Sequence, residues 1–330
     1  RTRRPLAAAL LGLGLQALAI LLFVADASVP ATAPVTLAGL GSALFHVGGS
    51  TPAFRSTPGR AAGSGLFTSP GVLGLALGGA AALMGWAAGG FFLAAFAILM
   101  LGLAMSPSAA EELRLATSPG TPGSVAHPLE AHDWIMAILL AAIALRSLVW
   151  TGVNCVLQGR TELLFAMAIA AFVGKLAGGF LADWLGWRRW ATGSLLGASA
   201  LLAIASSAPM QAQPLFLMVG VALLQSATPV MLASLIQARP RWPSTASGLG
   251  LGLAIAIGGA PFAPGVDWSG QFALDWQAAA VLLVLAALSS WFALELTDRI
   301  QAVARHPRRN RLQSTDLNVR RFSQGDTSHE

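Results

Sequence analysis

Long apolar runs, separated by short polar turns, follow one another along the whole chain. Ten of them come close to the length of about 20 residues that an α-helix needs to cross the hydrocarbon core of a bilayer. They cover residues 5–24, 34–53, 61–84, 87–105, 134–157, 163–181, 190–208, 215–236, 247–262 and 272–296. This pattern predicts an all-α membrane protein, a bundle with ten transmembrane spans.

The basic residues fall in alternate connections between these runs. If the first residues are cytoplasmic, every arginine and lysine except Arg146, Arg160 and Lys175 lies in a cytoplasmic connection or at a cytoplasmic end. Cytoplasmic loops of membrane proteins are enriched in such residues, and one miscounted run would reverse all later loops. We therefore predict a multi-pass protein of the plasma (inner) membrane with both ends of this chain in the cytoplasm.

The longest connection, residues 106–133, is rich in proline, serine, glycine and glutamate. It separates four runs in residues 1–105 from six runs in residues 134–298, and a basic segment, residues 299–330, follows. These boundaries predict two helix bundles joined by a central cytoplasmic loop, with a basic cytoplasmic tail at the end.

The composition excludes several classes of function. Of the 330 residues 55% are hydrophobic and only 10% are charged, whereas about 25% is usual in soluble domains. The net charge of +6 is concentrated in turns and in the tail, so it indicates topology and not a nucleic-acid partner. The single cysteine permits no intramolecular disulfide, and the sequence has neither a phosphate-binding glycine loop nor a metal-ligand spacing. No cofactor and no metal are expected.

A charged turn between the sixth and seventh runs has residues suited to joining two bundles: Gly178, Gly179, Asp183, Gly186, Arg188 and Arg189. The glycines allow close helix contact and a tight reversal, and the arginines hold the turn in the cytoplasm. Asp183 lies at the C-terminal end of its helix, which is unfavourable for a negative charge. Its partner should be an arginine of the turn or the N-terminus of another helix, which would make it a latch. The alternative is a solvated residue that only ends the helix.

The pattern Gly179-x-x-x-Asp183-x-x-Gly186-x-Arg188-Arg189 resembles the signature turn of the major facilitator superfamily, in its second six-helix half. Trp184 and Trp187 stand where that family commonly has arginine or lysine. The resemblance implies two bundles that alternate around a central site, with Asp183 in a charge network that stabilises one state. It also implies six helices before the central loop. We therefore expect that two helices are missing before Arg1.

Two further patterns are similar to subfamilies of these transporters. Residues 39–50 with Pro58-Gly59-Arg60 are similar to the fourth helix of fosmidomycin-resistance-type exporters, and Gly65-x8-Gly74-x3-Gly78 partly resembles a fifth-helix motif of drug/proton antiporters. Glycines at this spacing favour close helix packing. Pro70 and Gly71 predict a kink in the same helix.

Polar side chains at membrane depth are the candidates for substrate binding or coupling, because they are costly there. Arg146 is the foremost of them, with an ion pair or a snorkelling side chain as the alternative. His46 could couple protons or could be a packing residue. By the resemblance, the second, fifth and eighth runs line the cavity, which would bring His46, Arg146, Gln225 and Thr228 together. Trp150 and Asn154 follow Arg146 at helical spacing, and Lys175 is expected to snorkel.

These observations predict a secondary transporter that moves a small molecule by alternating access, an exporter and proton antiporter that acts as a monomer in the lipid bilayer. Three alternatives remain open. The chain could be a non-transporting remnant, a ten-helix carrier of another family, or a membrane-embedded enzyme. The last would need a nucleophile and a base at one depth, and His46 has no evident partner, so we expect no enzymatic activity.

Overall fold

A computed structural model describes residues 5–25, 30, 32–83, 89–105, 131–156, 161–238, 242–262 and 276–324. Within these ranges the chain is almost entirely helical and contains no β-strand. The helices are α1 Pro5–Val24, α2 Thr32–Ser56, α3 Ala62–Leu83, α4 Gly89–Ala104, α5 Ala131–Val156, α6 Thr161–Leu185, α7 Trp187–Ser207, α8 Gln213–Ser226, α9 Thr228–Ala238, α10 Pro243–Ser247, α11 Ile255–Gly259 and α12 Trp276–Gln324. A π-helical segment, Gly248–Ala254, joins α10 to α11, and a 3₁₀ turn, Ala260–Phe262, follows α11.

Helices occur at all ten predicted runs, and the prediction of an all-α membrane bundle is confirmed. In the described ranges, six segments are both long and apolar enough to cross a membrane: Pro5–Val24, His132–Cys155, Glu162–Leu185, Trp187–Ser207, Gln213–Ala238 and Trp276–Ile300. Of the other runs, α4 is short, and the ninth divides into α10, the π-helical segment and α11. α2 and α3 have sufficient length but contain many glycine, serine and threonine residues, which lower their hydropathy.

The helices pack in two groups. α1 packs against α2 and α4, and glycines permit close contacts between α1 and α2, since a Cβ on Gly41 would lie 2.6 Å from the Gly12 carbonyl oxygen. In the second group α7 packs against α12, and α6 and α7 pack against α8. The core of this second group consists of fully buried aliphatic side chains, among them Leu139, Leu195, Leu202, Leu224 and Leu283.

The groups meet where α3 packs against α6 and α9, and where α2 packs against α10 and the π-helical segment. The first contact depends on glycine. A Cβ on Gly65 would lie 2.7 Å from the Lys175 carbonyl oxygen, and a Cβ on Gly179 would lie 2.8 Å from that of Ala61. The prediction of close packing is therefore confirmed for Gly65 but is wrong for Gly74 and Gly78, which face open space. α3 continues through Pro70 without a break in its helical assignment.

Several predicted connections lie outside the described residues. They include most of the central loop, residues 106–130, and the connections that contain Arg160, Arg239 and Arg241. At the other end of the chain, α12 extends from the last predicted span into the basic segment and ends at Gln324.

Candidate functional site

The Asp183 carboxylate lies at the N-terminus of α3, where it joins the two helix groups. Its Oδ1 accepts a hydrogen bond of 2.8 Å from the Ala61 backbone N–H, and its Oδ2 accepts one of 3.1 Å from that of Ala62. The first N–H groups of a helix have no partner within the helix and carry its positive partial charge. The sequence left two possible partners for Asp183, an arginine of the turn or the N-terminus of another helix. The structure shows the second.

Trp187 completes the surroundings of this carboxylate. Its indole Nε1–H donates a hydrogen bond of 2.9 Å to Asp183 Oδ1. Asp183 therefore accepts three hydrogen bonds, one from its own turn and two from α3. The tryptophan that departs from the family pattern thus contributes to the same contact, whereas Trp184 is 80% exposed.

The arginines of the turn do not contact Asp183. Arg188 forms an ion pair with Glu295 on α12, and its Nη1 lies 3.8 Å from Asp298 Oδ2. Its guanidinium also lies 6.0 Å from the ring centre of Trp291. Arg189 is exposed and has no ion pair with any residue that the structure describes. Arg188 therefore fixes the turn to α12, and this leaves the Asp183 carboxylate to α3.

The backbone of the turn requires its glycines. Gly186 has φ +95°, a conformation that side chains with a Cβ rarely adopt, so the predicted role in a tight reversal is confirmed. A Cβ on Gly178 would collide with the backbone of Ser226 on α8. A cavity of about 390 Å³ lies beside the turn, lined by Gly59, residues 185–189, Ser234, Gln237, Leu294, Thr297 and Asp298. We refer to this end of the bundle as the Asp183 end.

A second polar contact joins the groups at the same end. The hydroxyl oxygens of Thr51 on α2 and Ser244 on α10 lie 2.7 Å apart and are buried. One turn further into the bundle, the Ser247 hydroxyl donates a hydrogen bond of 3.4 Å to the His46 carbonyl oxygen. Hydrogen bonds and close glycine contacts, and no covalent link, therefore hold the two groups together here.

Away from this end, Arg146 and Gln225 form the centre of a buried polar cluster. Arg146 is only 2% exposed, and its Nη1 donates a hydrogen bond of 2.9 Å to Gln225 Oε1. The same oxygen accepts a hydrogen bond of 3.4 Å from the Thr228 hydroxyl. The Nε of Arg146 is buried and has no hydrogen-bond partner among the described residues. The structure thus brings together three of the predicted site residues.

His46 belongs to the same region through Lys175. The half-buried Lys175 on α6 interacts electrostatically with Arg146 and with His46, which lies on α2 in the other helix group. The imidazole has edge-to-face contacts with the rings of Phe45 and Phe67, at centre distances of 5.9 Å and 5.8 Å. In the described part of the chain, no group forms a hydrogen bond with its buried Nδ1.

No hydrogen bond joins the other two predicted residues to Arg146 among the residues that the structure describes. Trp150 packs against the hydrophobic core, and the Asn154 side chain donates a hydrogen bond of 2.9 Å to the Trp150 carbonyl oxygen of its own helix.

Comparison with known proteins identifies the fold. No protein-family model and no curated protein matches the chain. It is similar to the crystal structure of the fucose:proton symporter FucP of E. coli, with a TM-score of 0.56 and 15% identity, over 88% of this chain and 84% of that chain. FucP is a transporter of the major facilitator superfamily. The chain has the major facilitator fold.

The major facilitator fold and the apolar helices make this a multi-pass membrane protein. Within that fold, the sequence patterns did not point to three polar residues: Lys175 of the buried cluster, and Glu295 and Asp298 beside Arg188. Lys175 was expected to snorkel, but its charge acts on Arg146 and His46 within the bundle. Glu295 and Asp298 were not considered, although their spacing on one face at the end of the last span was a usable signal.

Proposed function

We propose that this protein is a secondary active transporter, which moves a small molecule across the membrane by alternating access of its two helix groups. The observation that supports this best is the contact between the Asp183 carboxylate and the N-terminus of α3. At the Asp183 end, this contact consists of two hydrogen bonds between the groups, and such bonds can break and form again. Away from that end, a buried polar cluster lies in the second group and interacts electrostatically with His46 of the first.

In the proposed cycle the Asp183 end is cytoplasmic, and the contacts that join the groups there support a state closed on this side. The placement of arginines in alternate connections supports that orientation, with both ends of the chain in the cytoplasm of a cell with a plasma (inner) membrane. The functional unit is a monomer in the lipid bilayer, since each monomer contains both helix groups. Opening requires Asp183 to leave α3 and Thr51 to separate from Ser244.

The proposed direction is export, driven by proton antiport. The similarity of residues 39–50 to fosmidomycin-resistance-type exporters supports export, and His46 is the proposed coupling residue because it interacts electrostatically with Lys175 of the other group. FucP is by its title a symporter, so similarity of fold alone does not decide the direction. Flux measured with opposed pH gradients would decide it: export coupled to protons requires faster efflux when the outside is acidic.

Labelling of a single cysteine with a membrane-impermeant maleimide tests alternation without any substrate. In a Cys155→Ser background, Thr51→Cys places the reporter at a position that is 2% exposed in the closed state. Hydrogen bonds to a charged group contribute about 1.5–3 kcal/mol each, and 1.4 kcal/mol corresponds to about a tenfold change in a population. Asp183→Asn should therefore raise the labelling rate in inside-out vesicles about tenfold or more.

Ser56→Cys is the matched control, because Ser56 lies on the same helix but is already exposed. Its labelling rate should be the same whether or not the protein also carries Asp183→Asn. Equal rates at Thr51→Cys with and without the Asp183→Asn change would mean that the carboxylate does not hold this side closed. A Thr51→Cys reporter that is never labelled from the cytoplasmic side would reject alternation itself.

A further inference from the structure

We infer that the substrate carries a carboxylate, which binds to the free edge of the Arg146 guanidinium beside Lys175. This inference rests on the proposed function and specifies the substrate class of the same central cluster. The residues that carry it are Arg146 and Gln225 in the second helix group, Lys175 on α6, and His46 on α2 in the first.

The geometry of Arg146 leaves one edge of the guanidinium available. Nη1 is occupied by Gln225 Oε1 at 2.9 Å, whereas Nε is buried without a hydrogen-bond partner in the part of the chain that the structure describes. The N–H bonds of Nε and Nη2 point to the same side and form a fork. Such a fork matches the two coplanar oxygens of a carboxylate, which it binds through two parallel hydrogen bonds.

The charges around this edge also favour an anion. Arg146 is subject to the positive charge of Lys175, and neither residue has an ion pair with a described residue. The acidic residues of α5 and α6 are Asp133, Glu162 and Asp183, which all lie near helix ends, and α8 and α9 contain none. Charges at membrane depth without a counterion are costly. A bound carboxylate would supply the counterion that is absent among the described residues.

The position of the cluster suits a transported anion. Arg146 and Lys175 belong to one helix group, and Lys175 interacts electrostatically with His46 of the other. A ligand bound at Arg146 beside Lys175 therefore lies close to both groups, as a substrate must if each group moves relative to the other. Phe45 and Phe67 flank His46 with their rings 6.0 Å apart, and they provide apolar contact for the body of an organic anion.

Mandelate is a suitable probe, because it joins one carboxylate and one hydroxyl to a single aromatic ring. The protein is purified in detergent, and the apparent affinity is measured from the rise in Tm with mandelate concentration. Mandelamide, with the same shape but no charge, and phenyl phosphate, with a tetrahedral anionic group, serve as comparison ligands. Mandelate should stabilise the protein, and both comparison ligands should bind about tenfold or more weakly.

Arg146→Lys keeps the positive charge but removes the fork, so the apparent affinity for mandelate should fall about tenfold or more. Arg299→Lys is the matched control at an exposed arginine outside the cluster, and it should bind like the wild type. If Arg146→Lys does not fold, Gln225→Glu answers the same question by placing a carboxylate beside Arg146, and this change should abolish mandelate binding.

The site is rejected if mandelate has no effect on wild-type Tm, if mandelamide or phenyl phosphate binds as tightly as mandelate, or if the folded cluster variants bind like the wild type. These failures are separate from failure of the proposed function, because labelling at Thr51→Cys needs no ligand. Intact alternation without mandelate binding rejects only the carboxylate site. Mandelate binding without alternation rejects only the transport cycle.

Discussion

At the scale of single residues, the Asp183 carboxylate is the group of the turn that joins the second helix group to α3. It is positioned by three donors, of which only the Ala61 and Ala62 N–H groups belong to the other helix group. Trp187 holds the carboxylate in place from its own side. Arg188 pairs with α12 and so does not compete for Asp183. The contact is therefore strong enough to close the Asp183 end yet contains few bonds to break.

Trp187→Phe should loosen this contact less than Asp183→Asn does. The change removes the hydrogen bond from the carboxylate's own turn but leaves the two to α3, so it should shift opening by only about 0.5–1.5 kcal/mol, less than a full hydrogen bond to a charged group contributes. The labelling rate of Thr51→Cys should rise by a factor of about two to ten. Trp184→Phe is the control, because Trp184 is exposed and has no contact with Asp183 that the structure records. Equal effects of the two changes would contradict the role of Trp187.

Gln225→Glu should stabilise the protein in the absence of substrate. The new carboxylate would accept the Arg146 Nη1–H and neutralise part of the uncompensated charge of Arg146 and Lys175. The wild-type bond already involves the charged guanidinium, so the gain comes from giving a buried charge its counterion; a gain on the order of 1 kcal/mol would raise Tm by a few degrees. Gln225→Leu is a control with the opposite expected effect: it removes the acceptor for Arg146 Nη1 and should lower Tm. A fall in Tm with Gln225→Glu would mean that the cluster is already neutral in the wild type.

At the scale of helices, glycine decides where α3 can approach α6. Gly65 faces the backbone of Lys175, while Gly74 on the same helix faces open space. The close approach at the first glycine brings the N-terminus of α3 within reach of Asp183, since Gly179 packs against Ala61 one turn before the carboxylate. The helix contact and the hydrogen bonds thus depend on each other.

Gly65→Ala should destabilise the closed state, and Gly74→Ala should not. The added methyl group at Gly65 would lie 2.7 Å from the Lys175 carbonyl oxygen, so the helices must separate. Overpacking of this kind costs typically about 1–3 kcal/mol. Tm and the labelling rate of Thr51→Cys both measure the effect. At Gly74 the same change meets no atom, and a large loss of stability there would contradict the packing.

The part of the fold and of the site that the sequence predicts is the part fixed by local chemistry. Run length and hydropathy locate the helices, and the position of Asp183 at the end of its own helix dipole restricts its partners to two. Neither Lys175 nor Gly74 can be interpreted in this way. A lysine can snorkel or turn inward, and a glycine can meet another helix or open space. The outcome depends on which neighbour packs against that face of the helix. The residue pattern along one helix does not contain this information.

At the scale of the whole molecule, two groups of helices meet at the Asp183 end through hydrogen bonds, and a buried cluster with Arg146 and Lys175 lies away from that end. This arrangement suits transport, because a substrate anion between the groups would be accessible from only one side of the membrane at a time. The contact between Thr51 and Ser244 offers a direct way to prevent opening. Two cysteines at these positions, in the Cys155→Ser background, should form a disulfide across the groups.

The decisive measurement is the flux of radiolabelled mandelate into proteoliposomes that contain this double-cysteine protein, with protein-free liposomes as the measure of passive leak. We predict uptake well above the leak when the cysteines are reduced, a return to the leak rate when they are oxidised, and recovery when a reductant is added. Oxidation should leave uptake unchanged in the Thr51→Cys single variant. Flux equal to the leak in the reduced protein, despite bound mandelate, would show that the protein binds the anion but does not transport it.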